Sequence, residues 1–203
     1  MRLRPIVAAV LLTLASAAQA EGVSTDPSLA PAGAYRVDKA HTRVIWQISH
    51  FGTSLYTGWF KTFDVALSFD PNAPEKSTLT ASVDPAGVFT LDPVFDAKIA
   101  GPDFLDAAKY PEMRFASTSA TRTGEASGTI TGDLTFHGVT RPVTFDVVFH
   151  GGTMSPLKNV YVLGFRATAV IKRSEFGVDA YLDLGLGDEV TVTIEGEFNQ
   201  KAS

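Results

Sequence analysis

From Tyr35 onward the chain alternates apolar and polar residues with a period of two. That period is the signature of β-strands with one buried face, because successive side chains of a strand point to opposite sides. Val44, Trp46, Ile48 and His50 fall on one face, with Ile45, Gln47 and Ser49 opposite. Trp59, Phe63, Val65, Leu67 and Phe69 form the next apolar row, and Leu79, Ala81 and Val83 the one after. Further rows follow at Met113 and Phe115, at Ile130, Leu134 and Phe136, and at Val143, Phe145, Val147 and Phe149. The last two hold Leu163, Phe165, Ala167, Ala169 and Ile171, then Val190, Val192, Ile194 and Phe198. Alternating segments of this number, separated by Gly, Asn, Asp and Pro, predict an all-β sandwich or barrel.

Turn chemistry supports hairpin connections. His137-Gly138 separates two strongly alternating runs, and Gly124 with Ala126-Ser127-Gly128 marks a looser hairpin. Glycine at the second turn position accepts the positive φ that tight hairpins demand. One stretch breaks the alternation: residues 92–110 are rich in helix formers, with Asp103 placed to cap a short helix that Pro111 ends. The expected fold is one all-β antiparallel domain of about eight strands, a sandwich or barrel, with a short helical insertion.

The two faces of the last strand decide what surrounds the barrel. Opposite Val190, Val192 and Ile194 stand Glu189, Thr191, Thr193, Glu195 and Glu197. Carboxylates are unfavourable against lipid, so the outer face meets water and the apolar rows point inward. Fourteen phenylalanines and two tryptophans then either fill a core or line a lumen able to hold one small ligand. Periodicity does not separate those two readings.

Residues 1–20 read as an export signal. Arg2 and Arg4 precede an apolar run through Leu14, and Ala18-Gln19-Ala20 supplies the small-x-small cleavage pattern. The run is too short to span a bilayer core of about 30 Å as a helix. Cleavage after Ala20 leaves residues 21–34 as a small, Pro-containing, flexible leader, and it removes two of the 17 basic residues. The remaining 15 face 22 acidic residues, a formal charge of −7, which disfavours nucleic acid as a partner. With no cysteine in the chain, neither disulfides nor thiol chemistry contribute.

Chemistry-bearing residues are few. No H-x-H or H-x-x-x-H pair offers a metal site, and no G-x-S-x-G elbow offers a nucleophile. His137 reads as a turn residue and His150 as a solvated rim residue. His50 continues an inward row, where it either meets a ligand head group or water or serves as a structural histidine. Lys172 and Arg173 interrupt the end of an apolar strand. Arg173 there either contacts a phosphate or carbonyl or forms a rim charge paired with Glu175.

Several segments resemble the YceI-like family of periplasmic, lipocalin-like barrels. The opening Tyr35-Arg-Val-Asp-Lys-Ala-His-Thr-Arg-Val-Ile-Trp-Gln-Ile-Ser-His-Phe-Gly52 is similar to the family's first strand almost position for position. Gly58-Trp59-Phe60 with Phe63, and Asp103-Phe-Leu-Asp106 through Tyr110-Pro111, resemble its next blocks. So do Gly132-Asp-Leu-Thr-Phe-His-Gly-Val-Thr-Arg-Pro-Val143 and Lys172-Arg-Ser-Glu-Phe-Gly-Val178. One departure is Phe136, where a smaller aliphatic residue is usual; it is expected to alter the lumen's shape only. The resemblance implies an elongated antiparallel lipocalin-like β-barrel of about eight strands over residues 35–200 that holds a long isoprenoid-type lipid, a polyprenyl chain or a quinone, as carrier, store or scavenger in the periplasm. Transient membrane contact is expected, and no catalysis, cofactor or metal. The residues expected to meet the ligand are Trp46, His50, Phe51, Trp59, Phe63, Phe115, Phe136, Phe165, Arg173 and Phe176. A lipid-modifying barrel enzyme of the cyclase or isomerase kind is the alternative.

The export signal is directly checkable. N-terminal sequencing of the exported protein should begin at Glu21, and Ala20→Phe should leave unprocessed precursor in the membrane fraction.

Overall fold

The computed structural model describes residues 22–201; the expected export signal and the cleavage expected after Ala20 lie outside the described residues. In chain order the strands are β1 (Gly33–Val37), β2 (Arg43–His50), β3 (Ser54–Phe60), β4 (Phe63–Phe69), β5 (Thr78–Val83) and β6 (Val88–Phe89). After helix α1 (Pro93–Ala100) come β7 (Met113–Arg122), β8 (Ser127–Phe136), β9 (Val139–Met154), β10 (Tyr161–Lys172) and β11 (Glu189–Gln200). All belong to one antiparallel sheet in the order β1-β4-β5-β7-β8-β9-β10-β11-β2-β3-β6, and β1 pairs with β11 to close it.

The eight expected strands are recovered once the interruptions are recognised. β1 and β2 both pair with β11, at Val37–Phe198 and Val44–Ile194, so they are two halves of one strand broken at residues 38–42. β4 and β3 are likewise halves of one strand, pairing with β1 and β2 respectively. β5 and β6 follow the same bend on the next position around. The result is a closed eight-stranded antiparallel barrel with one short helix.

The break at residues 38–42 is stitched to β11. Asp38 N–H donates to the Glu197 carbonyl (2.8 Å), and the buried Thr42 hydroxyl accepts from the Glu197 N–H (3.1 Å). The buried Asp38 carboxylate is ion-paired with Lys158 and also takes Asn199 Nδ2 (3.3 Å), the Ala40 N–H (3.1 Å) and His41 Nδ1 (3.1 Å). The Lys158 ammonium above all holds the Asp38 carboxyl well below the usual carboxylate range.

The β8–β9 hairpin is as predicted. His137 and Gly138 form its two-residue turn with φ of +51° and +77°, the paired positive values of a type I′ turn. Two expectations are corrected. The helix starts earlier than Asp103: Asp92 caps it by accepting from the Val94 N–H (2.9 Å), with Pro93 opening the first turn. Residues 101–110 instead make turns, and the Leu105 and Ala107 N–H groups satisfy the last carbonyls of α1 at Ile99 and Ala100. The leader, expected to be flexible, is fixed to the barrel. Ser24 exchanges two backbone hydrogen bonds with Gly152, Ala30 is buried, and the Tyr35 hydroxyl donates to the Pro31 carbonyl (2.7 Å).

The register predicts unequal costs on the last strand. Ile194 opposes Val44 and Ala167 on the inner face, whereas Thr193 opposes Ile45 and Thr168 on the outer one. Ile194→Asp should destabilise the barrel by on the order of 2 kcal/mol or more, and Thr193→Asp by far less. Equal shifts in thermal melting would mean the faces are exchanged.

Candidate functional site: the barrel lumen

Two aromatic clusters occupy the barrel interior. Near the open ends of β4, β9 and β11, Phe165 contacts Phe69, Phe149 and Phe198, with ring centroids 6.0, 5.2 and 6.0 Å away. Toward the helical end Phe115 meets Phe145 edge-on (5.4 Å), and Phe136 meets Phe176 (5.4 Å). Leu79, Ala81 and Ile194 lie between the clusters and touch both.

Those middle residues are only half-buried, although they face the inside of a closed wall. Trp46, Ile130, Leu134, Val147, Ala167, Ile171, Val190 and Val192 share that state. The space they front is a cavity of about 390 Å³ running between the clusters. Sequence periodicity left open whether this barrel is filled or hollow. It is hollow.

Small residues shape the wall. Opposite Trp46 on β3 stands Gly58, and a Cβ there would overlap the indole ring. Gly132 on β8 does the same for the Phe115 ring. The indole Nε1 of Trp46 is buried without a hydrogen-bond partner among the described residues.

One end of the lumen is capped. Ile99 of α1, Phe104 and Leu105 after it, and Val178 line this end. Asp96 ties α1 to the end of β6 by accepting from Thr90 N–H (2.6 Å) and Oγ1 (2.8 Å). Residues 177–188 form the second half of the cap, where Tyr181 meets Phe104 (5.9 Å) and Lys98 sits over the Tyr181 ring (4.9 Å). Asp188 fixes this loop's far end, accepting from Ser174 N–H and Oγ, both at 2.9 Å. The other end of the lumen is rimmed by Pro27, Pro71, Pro74, Ser77, Arg122 and Glu125.

Six of the ten residues expected at the site line this cavity: Trp46, Phe63, Phe115, Phe136, Phe165 and Arg173. Four do not. Trp59 lies on the outer face, opposite Ile45, and packs on Phe89 (5.0 Å). The chain leaves the ladder at Lys61 and Thr62, so the inward parity slips by one residue, and Phe60 takes the lumen position instead. His50 and Phe51 sit at the tip of the β2–β3 hairpin, their rings meeting edge-on (4.5 Å), beyond the cavity. Phe176 is fully buried behind the wall, where it supports Phe136.

Arg173 is not a rim charge. It is 3% exposed and donates to three loop carbonyls. Burial lowers its pKa, against the opposing charges of Asp188 and Asp179. Glu175 instead offers its carbonyl to Arg141 (2.7 Å). His137 stands in its turn and His150 is exposed, as expected. His137 donates through Nδ1 to the Phe176 carbonyl (3.2 Å), and His150 Nε2 meets Glu195 (3.2 Å) at the outer surface. His41, Asp38 and Glu197 do cluster, with one ligand atom of each within 4.8 Å of the others. Lys158 and Asn199 already engage the Asp38 oxygen, so the cluster is an ion-pair knot outside the lumen.

Phe69, Phe145, Phe149 and Phe198 line the lumen too, and were not among the ten. Each lies on an inward row, so the alternation that selected Phe165 carries the signal for all four. Phe104 had no such signal, because it reaches the lumen from an aperiodic loop.

A closed antiparallel barrel around an apolar cavity, capped at one end by a helix and a loop, defines a binding-type barrel of the lipocalin-like sort. The chain belongs to the YceI-like family, whose domain matches residues 35–198. A UPF0312 protein of Pseudomonas putida (strain F1) is 38% identical over 169 residues, which are 82% of this chain and 88% of that protein. Among solved structures, BcnA of Burkholderia cenocepacia superimposes with a TM-score of 0.72 at 26% identity, over 79% of this chain and 98% of that one. A polyisoprenoid binding domain from Saccharophagus degradans shares the fold with a TM-score of 0.60 at 14% identity, over 82% and 98%.

The Gly58–Trp46 contact yields a prediction. Gly58→Val should displace the indole into the lumen, lowering the melting temperature and shifting Trp emission, whereas Thr57→Val on the outer face should do neither.

Proposed function

We propose that this protein is exported to the periplasm and there holds a long isoprenoid-type lipid, a polyprenyl chain or a quinone, inside its lumen. It acts as carrier, store or scavenger and leaves the lipid unchanged. The observation that carries this reading is the half-buried state of apolar side chains around a cavity of about 390 Å³ inside a closed wall. Such surface gains by receiving an apolar chain: each buried methylene contributes about 0.8 kcal/mol, so ten supply roughly 8 kcal/mol. That corresponds to micromolar affinity before association costs are subtracted.

The fold shared with a polyisoprenoid binding domain supports the choice of ligand class. Among the described residues, no histidine or aspartate lines the cavity and its one carboxylate, Glu125, stands at the rim, so the apolar middle of the wall offers no group for the acid–base chemistry of a cyclase or isomerase. Binding suffices.

The two tryptophans test this reading, since Trp46 lines the lumen and Trp59 lies outside it. A long-chain quinone should quench fluorescence saturably with a one-to-one end point. The quench should persist in Trp59→Phe and vanish in Trp46→Phe. Shortening the isoprenoid tail should weaken binding stepwise, by about 0.8 kcal/mol per methylene lost. Quenching that is independent of tail length, or confined to Trp59, would contradict a luminal site.

A further inference from the structure

The inward row of β10 runs through Phe165, Ala167 and Ile171, and Arg173 follows just past the strand's end, in the short 3-10 turn Arg173–Phe176. Arg173 forms part of the cavity wall at the capped end of the lumen. A guanidinium carries five N–H donors. Nε donates to the Gly187 carbonyl (2.7 Å), Nη1 to Val178 (3.0 Å) and Nη2 to Leu186 (3.3 Å). Two donors, one on each terminal nitrogen, are left without an acceptor among the described residues. No carboxylate among the described residues forms an ion pair with the group at contact distance, although Asp188 and Asp179 act on it through charge from farther off.

A full positive charge with two unmet donors thus stands at the floor of an otherwise apolar tube. We infer that Arg173 is the head-group anchor of the lumen, holding the anionic oxygen terminus of an apolar chain whose tail runs toward the rim at Pro27 and Pro71. This rests on the reading of the lumen as a lipid site. A phosphate or carboxylate answers both the charge and the two donors, because the planar fork of arginine presents its terminal N–H groups side by side. An alcohol or a methyl terminus brings no charge of its own to add to those of Asp188 and Asp179. A prenyl phosphate and a fatty acid share this chemistry.

The opposite rim also holds an arginine. Arg122 is exposed and already donates to the Gly124 (2.8 Å) and Glu125 (2.7 Å) carbonyls. In water an added anion gains little from it.

The test compares matched pairs on the delipidated full chain: farnesyl phosphate against farnesol, and palmitate against hexadecanol. At least one anion should bind roughly tenfold or more tightly than its alcohol, and the pair with the larger ratio names the source. Arg122→Gln should keep that ratio. Arg173→Lys, which retains the charge without the fork, should lower it severalfold while farnesol binding persists. Should Arg173→Lys fail to fold, NMR of the guanidinium nitrogens in the wild-type protein decides. Arg173 is the buried arginine among the described residues, so its solvent-protected signals should shift with the preferred anion and stay in place with its alcohol. Equal affinities within both pairs, unmoved guanidinium signals, or a ratio lost in Arg122→Gln and kept in Arg173→Lys would overturn the anchor and leave the lipid site standing. If none of the four probes binds, the lipid reading falls, and this inference with it.

Discussion

The pairing of β11 along both edges is the constraint on which the rest of the molecule depends. On one side it meets β10 along its whole length; on the other it meets β2 and then β1. An open sheet with these apolar rows would have to cover its inner face with another layer or leave an edge free to pair with other chains. Closure removes both needs. The partner exchange from β2 to β1 is the weak point of such a seam, and it is where the chain places the buried Asp38 and Thr42, bonded across to β11.

A closed wall of eight strands is close to the size at which side chains alone can fill the interior. Here the filling is concentrated toward the two ends, in the clusters around Phe165 and around Phe136 and Phe176. The middle carries Ala81, Ala167, Val192 and Ile194, too small to meet across the tube. Gly58 and Gly132 let Trp46 and Phe115 lie against the wall instead of crossing the centre. The cavity is thus a consequence of where bulk is distributed along each row, not of how much bulk the chain contains.

That distinction explains what could be read from the sequence. The two-residue period identified the strands and the inner faces of β2, β4, β8, β10 and β11, because a half-buried strand has no other way to satisfy both of its sides. Trp59 was assigned inward because periodicity was carried through Lys61 and Thr62, where the chain leaves one ladder and enters another. Asp103 was read as the helix cap, whereas the stronger start chemistry lies in Asp92-Pro93, where the helix begins. The family resemblance pointed to a lumen, but the residues of its capped end come from loops without period. Arg173 was singled out as a charge interrupting an apolar strand. That it is buried beneath the loop of residues 177–188, bonded to that loop's own carbonyls, depends on a tertiary fold that no local pattern encodes.

The two hydrogen bonds between Ser24 and Gly152 fasten the start of the domain beside the rim of Pro27, Arg122 and Glu125, at the end away from α1. Any polypeptide joined upstream of Ser24 must therefore leave the barrel from that end. A fusion partner or surface tether attached there would give the molecule a compass bearing, with the rim turned toward its anchor and the helical cap turned away.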